Sequence, residues 1–158
     1  MKNQKNKSSV KKGFTLIELV VVIGILAVLL TIVLIAINPA RQFAQANDAK
    51  RRSDVNAILN AVTQYAADKK GDLPGGTYIP TTPTAAKEIT GDTDGLAFCN
   101  LLVPTYISAL PKDPSGADDQ TLCIAGFATG YKIIQDTNGR VTVSATAETP
   151  GVTISVTR

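Results

Sequence analysis

From Phe14 to Ile37 the chain runs for 24 residues with one charge, Glu18, and only Thr15, Gly24 and Thr31 as small or polar breaks. As a helix at 1.5 Å per residue this stretch is about 36 Å long, enough to cross the hydrocarbon core of a bilayer. Three readings compete for it: a cleaved secretory signal, a permanent single-span anchor, or an apolar stem that later packs against other chains. A secretory signal fits poorly, because the run is long. Its end, from Ile35 to Ala40, is also interrupted by Ile37, Asn38 and Pro39 instead of presenting a small-x-small cleavage site. A plain anchor leaves Glu18 unexplained. A carboxylate in an apolar span costs about 2.5–3.5 kcal/mol near the helix centre, and such groups have partners.

Charge is as uneven as hydropathy. Lys2, Lys5, Lys7, Lys11 and Lys12 give the first 13 residues a charge of +5 with no acidic group. The remainder holds 11 basic and 13 acidic residues, so the formal +3 of the whole chain becomes −2 once those 13 are set aside. A lysine-rich start ahead of an apolar run holds the N-terminus on the cytoplasmic side. The near-neutral remainder argues against a general nucleic-acid binder.

The junction Lys11-Lys12-Gly13-Phe14-Thr15-Leu16-Ile17-Glu18-Leu19 combines basic residues, a glycine, an aromatic residue and a glutamate at fixed spacing ahead of an apolar run. In this it resembles the leader junction of type IV pilins and pseudopilins. The resemblance is specific over the first 40 or so residues and covers the rest only in general organisation. It implies that a prepilin peptidase, a membrane aspartyl protease, cuts between Gly13 and Phe14 and methylates the new amine of Phe14. It also implies that the Phe14 amine of one subunit offsets the Glu18 carboxylate of an adjacent one, an assembly charge pair. The chemistry suits the residues. Glycine offers no side chain to a narrow protease cleft, and a free α-amine, with a pKa of about 7.7–8.0, is cationic near neutral pH.

The fold implied is α+β, with a long N-terminal helix packed on a small antiparallel β-sheet head, the pilin fold. Residues 1–13 form the leader, 14–38 the transmembrane or filament-core helix, 39–71 the amphipathic half of the stem and 72–158 the head. Proline at Asn38-Pro39-Ala40 removes a backbone hydrogen bond and crowds the preceding turn, so a kink or local unwinding is expected there. This proline lies later than in the best-known family members. Beyond it, Val55, Ile58, Leu59, Val62 and Tyr65 recur at spacings of three and four and define one apolar helix face. Lys69, Lys70 and Gly71 suit the helix end. The basic triplet Lys50-Arg51-Arg52 reads first as a solvated face with Asp48 and Asp54 close enough to pair with it. A subunit contact is the alternative. DNA contact is disfavoured, because no aromatic residues are interleaved and the surroundings are acidic.

In the head, proline and glycine punctuate residues 72–130, which are expected to be mostly loop with short helices near Thr84–Ile89 and Leu96–Leu102. Alternating, β-favouring runs at Tyr131–Gln135, Arg140–Ala145 and Val152–Thr157 predict three strands within 131–158, with a turn at Asp136–Gly139. Cys99 and Cys123 are the two cysteines. Outside the cytoplasm they read as a disulfide that braces the loop region before the sheet, contributing about 3 kcal/mol; two buried free thiols are the alternative. Leu110-Pro111-Lys112-Asp113-Pro114 resembles a loop common in bacterial pilins and major pseudopilins, and in some pseudopilins the region downstream binds calcium. Asp92, Asp94, Asp113, Asp118 and Asp119 offer oxygens for calcium, the one cofactor considered, but none of these runs has the EF-hand pattern with its distal glutamate. Solvated turn aspartates are the plainer reading.

The chain has no histidine, which excludes histidine-based catalysis and the common histidine-containing metal sites. Pro74-Gly75-Gly76 has neither the spacing nor the lysine of a phosphate-binding loop. No enzyme is read. The resemblance implies a structural subunit, membrane-anchored with its head outside the cytoplasm and then extracted into a surface filament. Its implied partners are like subunits, the prepilin peptidase, an assembly ATPase and a platform protein. The filament would serve adhesion, twitching motility, DNA uptake or secretion. A type II secretion pseudopilin is the alternative within the class, and a membrane-anchored binding domain that never polymerises is the alternative outside it.

Overall fold

The computed structural model describes residues 13–82, 85–116 and 123–158. The chain divides into two compact units, the first ending at Pro39 and the second running from Ala40 to Arg158. Among the described residues the first contains the helix α1 (Leu16–Ile37). It stops where Asn38 turns into the left-handed region at φ 48°, and Pro39 opens the next helix, α2 (Pro39–Asp68). Proline is well suited to a first helical position, because its missing N–H has no intrahelical acceptor there.

Helix α2 buries Val55, Ile58, Leu59, Ala61 and Val62, the face that the three-and-four spacing predicts. Tyr65, one turn further, is partly buried and meets Tyr106 edge-on with ring centroids 5.5 Å apart. The helix ends at Asp68, a little ahead of Gly71. Lys70 takes the left-handed conformation at φ 59° and the Gly71 N–H donates back to the Ala66 carbonyl at 2.8 Å. That is the Schellman closure, which satisfies a carbonyl the helix would otherwise leave open.

The head sheet has four antiparallel strands in the order β1 (Lys87–Thr90), β2 (Ala128–Gln135), β3 (Val141–Ala145) and β4 (Ile154–Thr157). Three of these match the runs predicted from alternation. The fourth is a correction: a short helix was expected near Thr84–Ile89, and Lys87–Thr90 is instead an edge strand paired with β2. The alanines and Lys87-Glu88 favour helix locally. Pairing with a strand some forty residues away, together with full burial of Ile89, overrides that preference. Tyr78 fixes the same edge, its hydroxyl donating to the Glu88 carbonyl and accepting from the Thr90 N–H, both at 3.2 Å, while the Lys87 ammonium lies 4.0 Å from its ring centre.

The second head helix, α3 (Thr93–Leu102), starts three residues before the expected one. Asp92 caps it by accepting from the Gly95 N–H at 2.7 Å. Gly95 is needed for close approach, since a Cβ there would lie 1.9 Å from the Thr90 carbonyl oxygen. Between β2 and β3, the Asp136 carboxylate accepts from the N–H groups of Asn138 and Arg140 at 2.8 Å, and Gly139 adopts φ 84° to close the turn.

One core results. Val55, Ile58, Leu59 and Val62 from α2 are buried with Phe98 and Leu102 from α3 and with Ile89, Tyr131, Ile133, Val143 and Ile154, one or two from each strand. Cys99 on α3 is joined to Cys123, ahead of β2, with Cα atoms 5.6 Å apart. Ile58 is fully buried at the centre of the α2 face. Ile58→Ala should lower head stability by about 3 kcal/mol, read as a drop in the thermal unfolding midpoint of the detergent-solubilised chain.

Candidate functional site: an unpacked stem and a buried arginine

The side chain of Thr15, extended at φ −83° and ψ 151°, caps α1 by accepting from the Glu18 N–H at 3.3 Å. This places Glu18 in the first turn, where a carboxylate complements the positive end of the helix dipole. The Thr-x-x-Glu spacing is the capping-box pattern, a signal in the sequence that went unused. Beyond Glu18 the helix is apolar on every side. None of its residues is buried: Leu16 is 81 % exposed and Ile25 56 %, whereas the core residues of the head are near zero. Its 22 residues are long and apolar enough to cross a membrane.

In the head, the cluster that stands out is centred on Arg51, whose side chain is 3 % exposed. It grips the Asp113 carboxylate with two parallel bonds, Nε to Oδ2 at 2.6 Å and Nη2 to Oδ1 at 2.8 Å. Nη1 donates to Asp48 at 3.0 Å, and Nη2 also reaches Glu148 at 2.7 Å and the Ser115 hydroxyl at 2.9 Å. The carboxylates are held in turn. Asp48 accepts from the N–H groups of Glu148 at 2.8 Å and Thr149 at 3.0 Å; Glu148 accepts from the Asn47 amide at 3.1 Å and from the Ser115 hydroxyl. Arg51 thus ties α2 to the loop at 113–115 and to the β3–β4 connection. The planar five-donor fork of arginine suits this arrangement in a way that lysine does not.

The same cluster corrects the reading of Lys50-Arg51-Arg52 as a solvated face. Lys50 is half exposed and pairs with Asp54 at 3.1 Å, which also accepts from the Tyr131 hydroxyl at 2.7 Å, but Arg51 is internal. The signal was available. Positions 48 and 51 extend the buried series 55, 58 and 62 at the same spacing of three and four, so the core-facing stripe of α2 begins two turns earlier with a charged pair.

Two of the five aspartates considered for calcium are engaged otherwise. Asp113 is bound by Arg51, and Asp92 caps α3 and pairs with Lys87 at 3.2 Å. Asp94 lies in the exposed first turn of α3, and Asp118 and Asp119 fall outside the described residues. Among the described residues no three histidine, cysteine or carboxylate groups are grouped to hold a metal ion.

The architecture defines the class: an apolar helix unpacked against its own chain, followed by an amphipathic helix buried on a small antiparallel sheet, is the pilin-like arrangement. The prokaryotic N-terminal methylation motif matches residues 8–34. The type II secretion system core protein G of Aeromonas hydrophila is 34 % identical over 127 residues, 78 % of this chain and 79 % of that protein. Its counterpart in Vibrio cholerae serotype O1 is 31 % identical over 110 residues, covering 70 % of this chain and 69 % of that protein. No solved structure matches the chain. The chain belongs to the type IV pilin-like family. Members of this family are structural, and the protein is accordingly a membrane-anchored precursor of a surface filament.

The carboxylates around Arg51 give the head a defined acid response. The neighbouring Thr149 side chain, the N–H groups of Glu148 and Thr149 and the Arg51 guanidinium together hold the Asp48 carboxyl well below the usual range against the cost of burial, although the buried Thr149 hydroxyl forms no well-aligned hydrogen bond of its own. Arg51 does the same for Asp113, and Ser115, Arg51 and Asn47 for Glu148. Groups with depressed values stabilise the fold fully above their unfolded pKa, about 4, and lose that contribution as the pH falls through the lower folded values. The thermal midpoint should therefore drop steeply below about pH 4. Arg51→Met leaves buried carboxylates unpaired and should cost about 3 kcal/mol at pH 7, with a flatter acid limb, both measurable by calorimetry across pH.

Proposed function

We propose that the precursor is cut between Gly13 and Phe14, methylated at Phe14, held in the membrane by α1, and then polymerised through α1 as a subunit of a pilus-like filament. The observation that carries this reading is α1 itself, a helix that buries no residue in its own chain and bears one carboxylate in its first turn. Lipid satisfies the apolar surface before assembly, and neighbouring stems satisfy it afterwards. Glu18 is expensive in either place unless a cation meets it. Cleavage creates that cation at Phe14, and pairing it with Glu18 of a neighbour sets the axial register at which a subunit is accepted. The prepilin peptidase, an assembly ATPase and a platform protein are the partners this route requires.

Adhesion, motility and DNA uptake are the tasks of pilus members of the family. The secretion reading, in which the filament is a type II secretion pseudopilus, is favoured by the two relatives, both of which are secretion core subunits. Deleting the gene separates the two: a pseudopilin is needed for export of folded enzymes, a pilin for surface fibres.

Mass spectrometry of the mature chain should find N-methyl-Phe14 as its first residue; membranes that contain only the chain with Met1–Gly13 intact would overturn the proposal. Glu18→Gln should lower the yield of sheared filament at least about tenfold, the effect of about 1.4 kcal/mol, while the processed subunit stays in the membrane. Normal assembly of that variant would remove the charge pair from the account.

A further inference from the structure

Two features of the head unit have no use within a single chain. Phe43, in the second turn of α2, is 71 % exposed, although it is a large aromatic side chain on a helix whose other large apolar residues are buried or partly so. Further along, Gln45, Asp48, Ala49 and Arg52 of α2, with Thr149 and Val152 of the β3–β4 connection, line an open groove of about 200 Å³. The groove is mostly apolar, with a methyl from Ala49, the branched side chain of Val152 and the carbon stems of Gln45 and Arg52. Arg52 makes no ion pair among the described residues.

Positions 45, 48, 49 and 52 share one face of α2. At 100° per residue, Phe43 lies about 180° around the helix from Arg52. The aromatic knob and the groove therefore point in opposite directions from the same rigid element, and no chain can fill its own groove with its own Phe43. A contact in which they meet must be heterologous, joining one surface of a copy to a different surface of the next. Repeated without closure, that geometry generates a helical filament.

We infer that Phe43 of one subunit seats in the Gln45–Arg52/Thr149–Val152 groove of a neighbouring copy of this chain, with the Arg52 guanidinium against the ring. A phenyl side chain fits a space of this size. A cation beside an aromatic face is favourable, more so once both are shielded from water, and the apolar lining accepts the rest of the ring. Phe43 also follows the apolar stem by six residues, so the contact extends the polymerising surface past the stem and into the head. It adds a specificity element, since stems that are apolar all round discriminate weakly between partners, whereas a single knob and groove do not.

This inference rests on the filament reading above, and the test separates the two. In the full-length chain, Phe43→Cys and Val152→Cys are introduced singly and together, and sheared or membrane-associated material is oxidised with copper phenanthroline. The double variant should give a ladder of linked subunits on non-reducing gels, and each single variant should give none. A photo-crosslinking residue at Val28 reports stem-to-stem packing independently. Capture of a second copy at Val28 with no ladder from the double variant would overturn the Phe43 contact and leave the filament reading intact. No capture at Val28 would bring down the filament reading and the contact with it. Phe43→Ala should reduce filament yield at least fivefold with unchanged processed subunit, and Phe43→Trp should retain most of it. Unchanged yield for Phe43→Ala also overturns the inference.

Discussion

An apolar helix with none of its residues buried imposes a condition on everything around it. The second unit gathers most of its apolar side chains in its own core, whereas those from Phe14 to Ile37 are exposed. The stem must be solvated by lipid or by other stems, and the hydrophobic effect makes any aqueous interval between the two costly in proportion to the area exposed. Assembly is thus a transfer between two apolar surroundings, with the head as the only part that meets water throughout. That division explains why one chain contains two units with such different compositions, and why polar residues return where the apolar run ends.

Helix α2 is where the second unit is organised. Its apolar face supplies one side of the core, and its preceding turns supply Asp48 and Arg51, which fasten the loop at 113–115 and the β3–β4 connection to the same helix. A buried ion pair is weak evidence for added stability, because desolvation offsets much of the attraction. Its effect here is positional. A fork that binds three carboxylates, two of them from distant parts of the chain, admits few alternative arrangements of those loops. The β3–β4 connection held in this way includes Thr149 and Val152, so the same cluster that sits inside the head also shapes a feature on its outside.

Much of this was legible in the sequence, to different depths. The stem was plain, because 24 residues with one charge admit few readings, and the lysines and Gly13-Phe14 narrowed them further. The core face of α2 and strands β2, β3 and β4 followed from local periodicity. What escaped was non-local. Strand β1 reads as helix by propensity and becomes a strand only because β2 is there to pair with it. Helical spacing to Val55 and Ile58 singles out Arg51 in its run of three basic residues, but two of the carboxylates that hold it lie 62 and 97 residues away and are not legible from that spacing. The capping pattern at Thr15 and Glu18, by contrast, is local and readable from the Thr-x-x-Glu spacing alone.

The two ends of the sheet carry one more consequence. Strands β1 and β4 are its edges, each only four residues long, and β1 is further broken by a shift in register between Glu88 and Thr90. An exposed edge is a template for pairing with any other edge, and the risk grows when many identical heads are crowded along one fibre. Short, irregular edges carrying Lys87 and Thr157 give such pairing little to grip. Short edges of this kind let a fibre built from such subunits keep its heads close together without fusing them into a continuous cross-strand sheet.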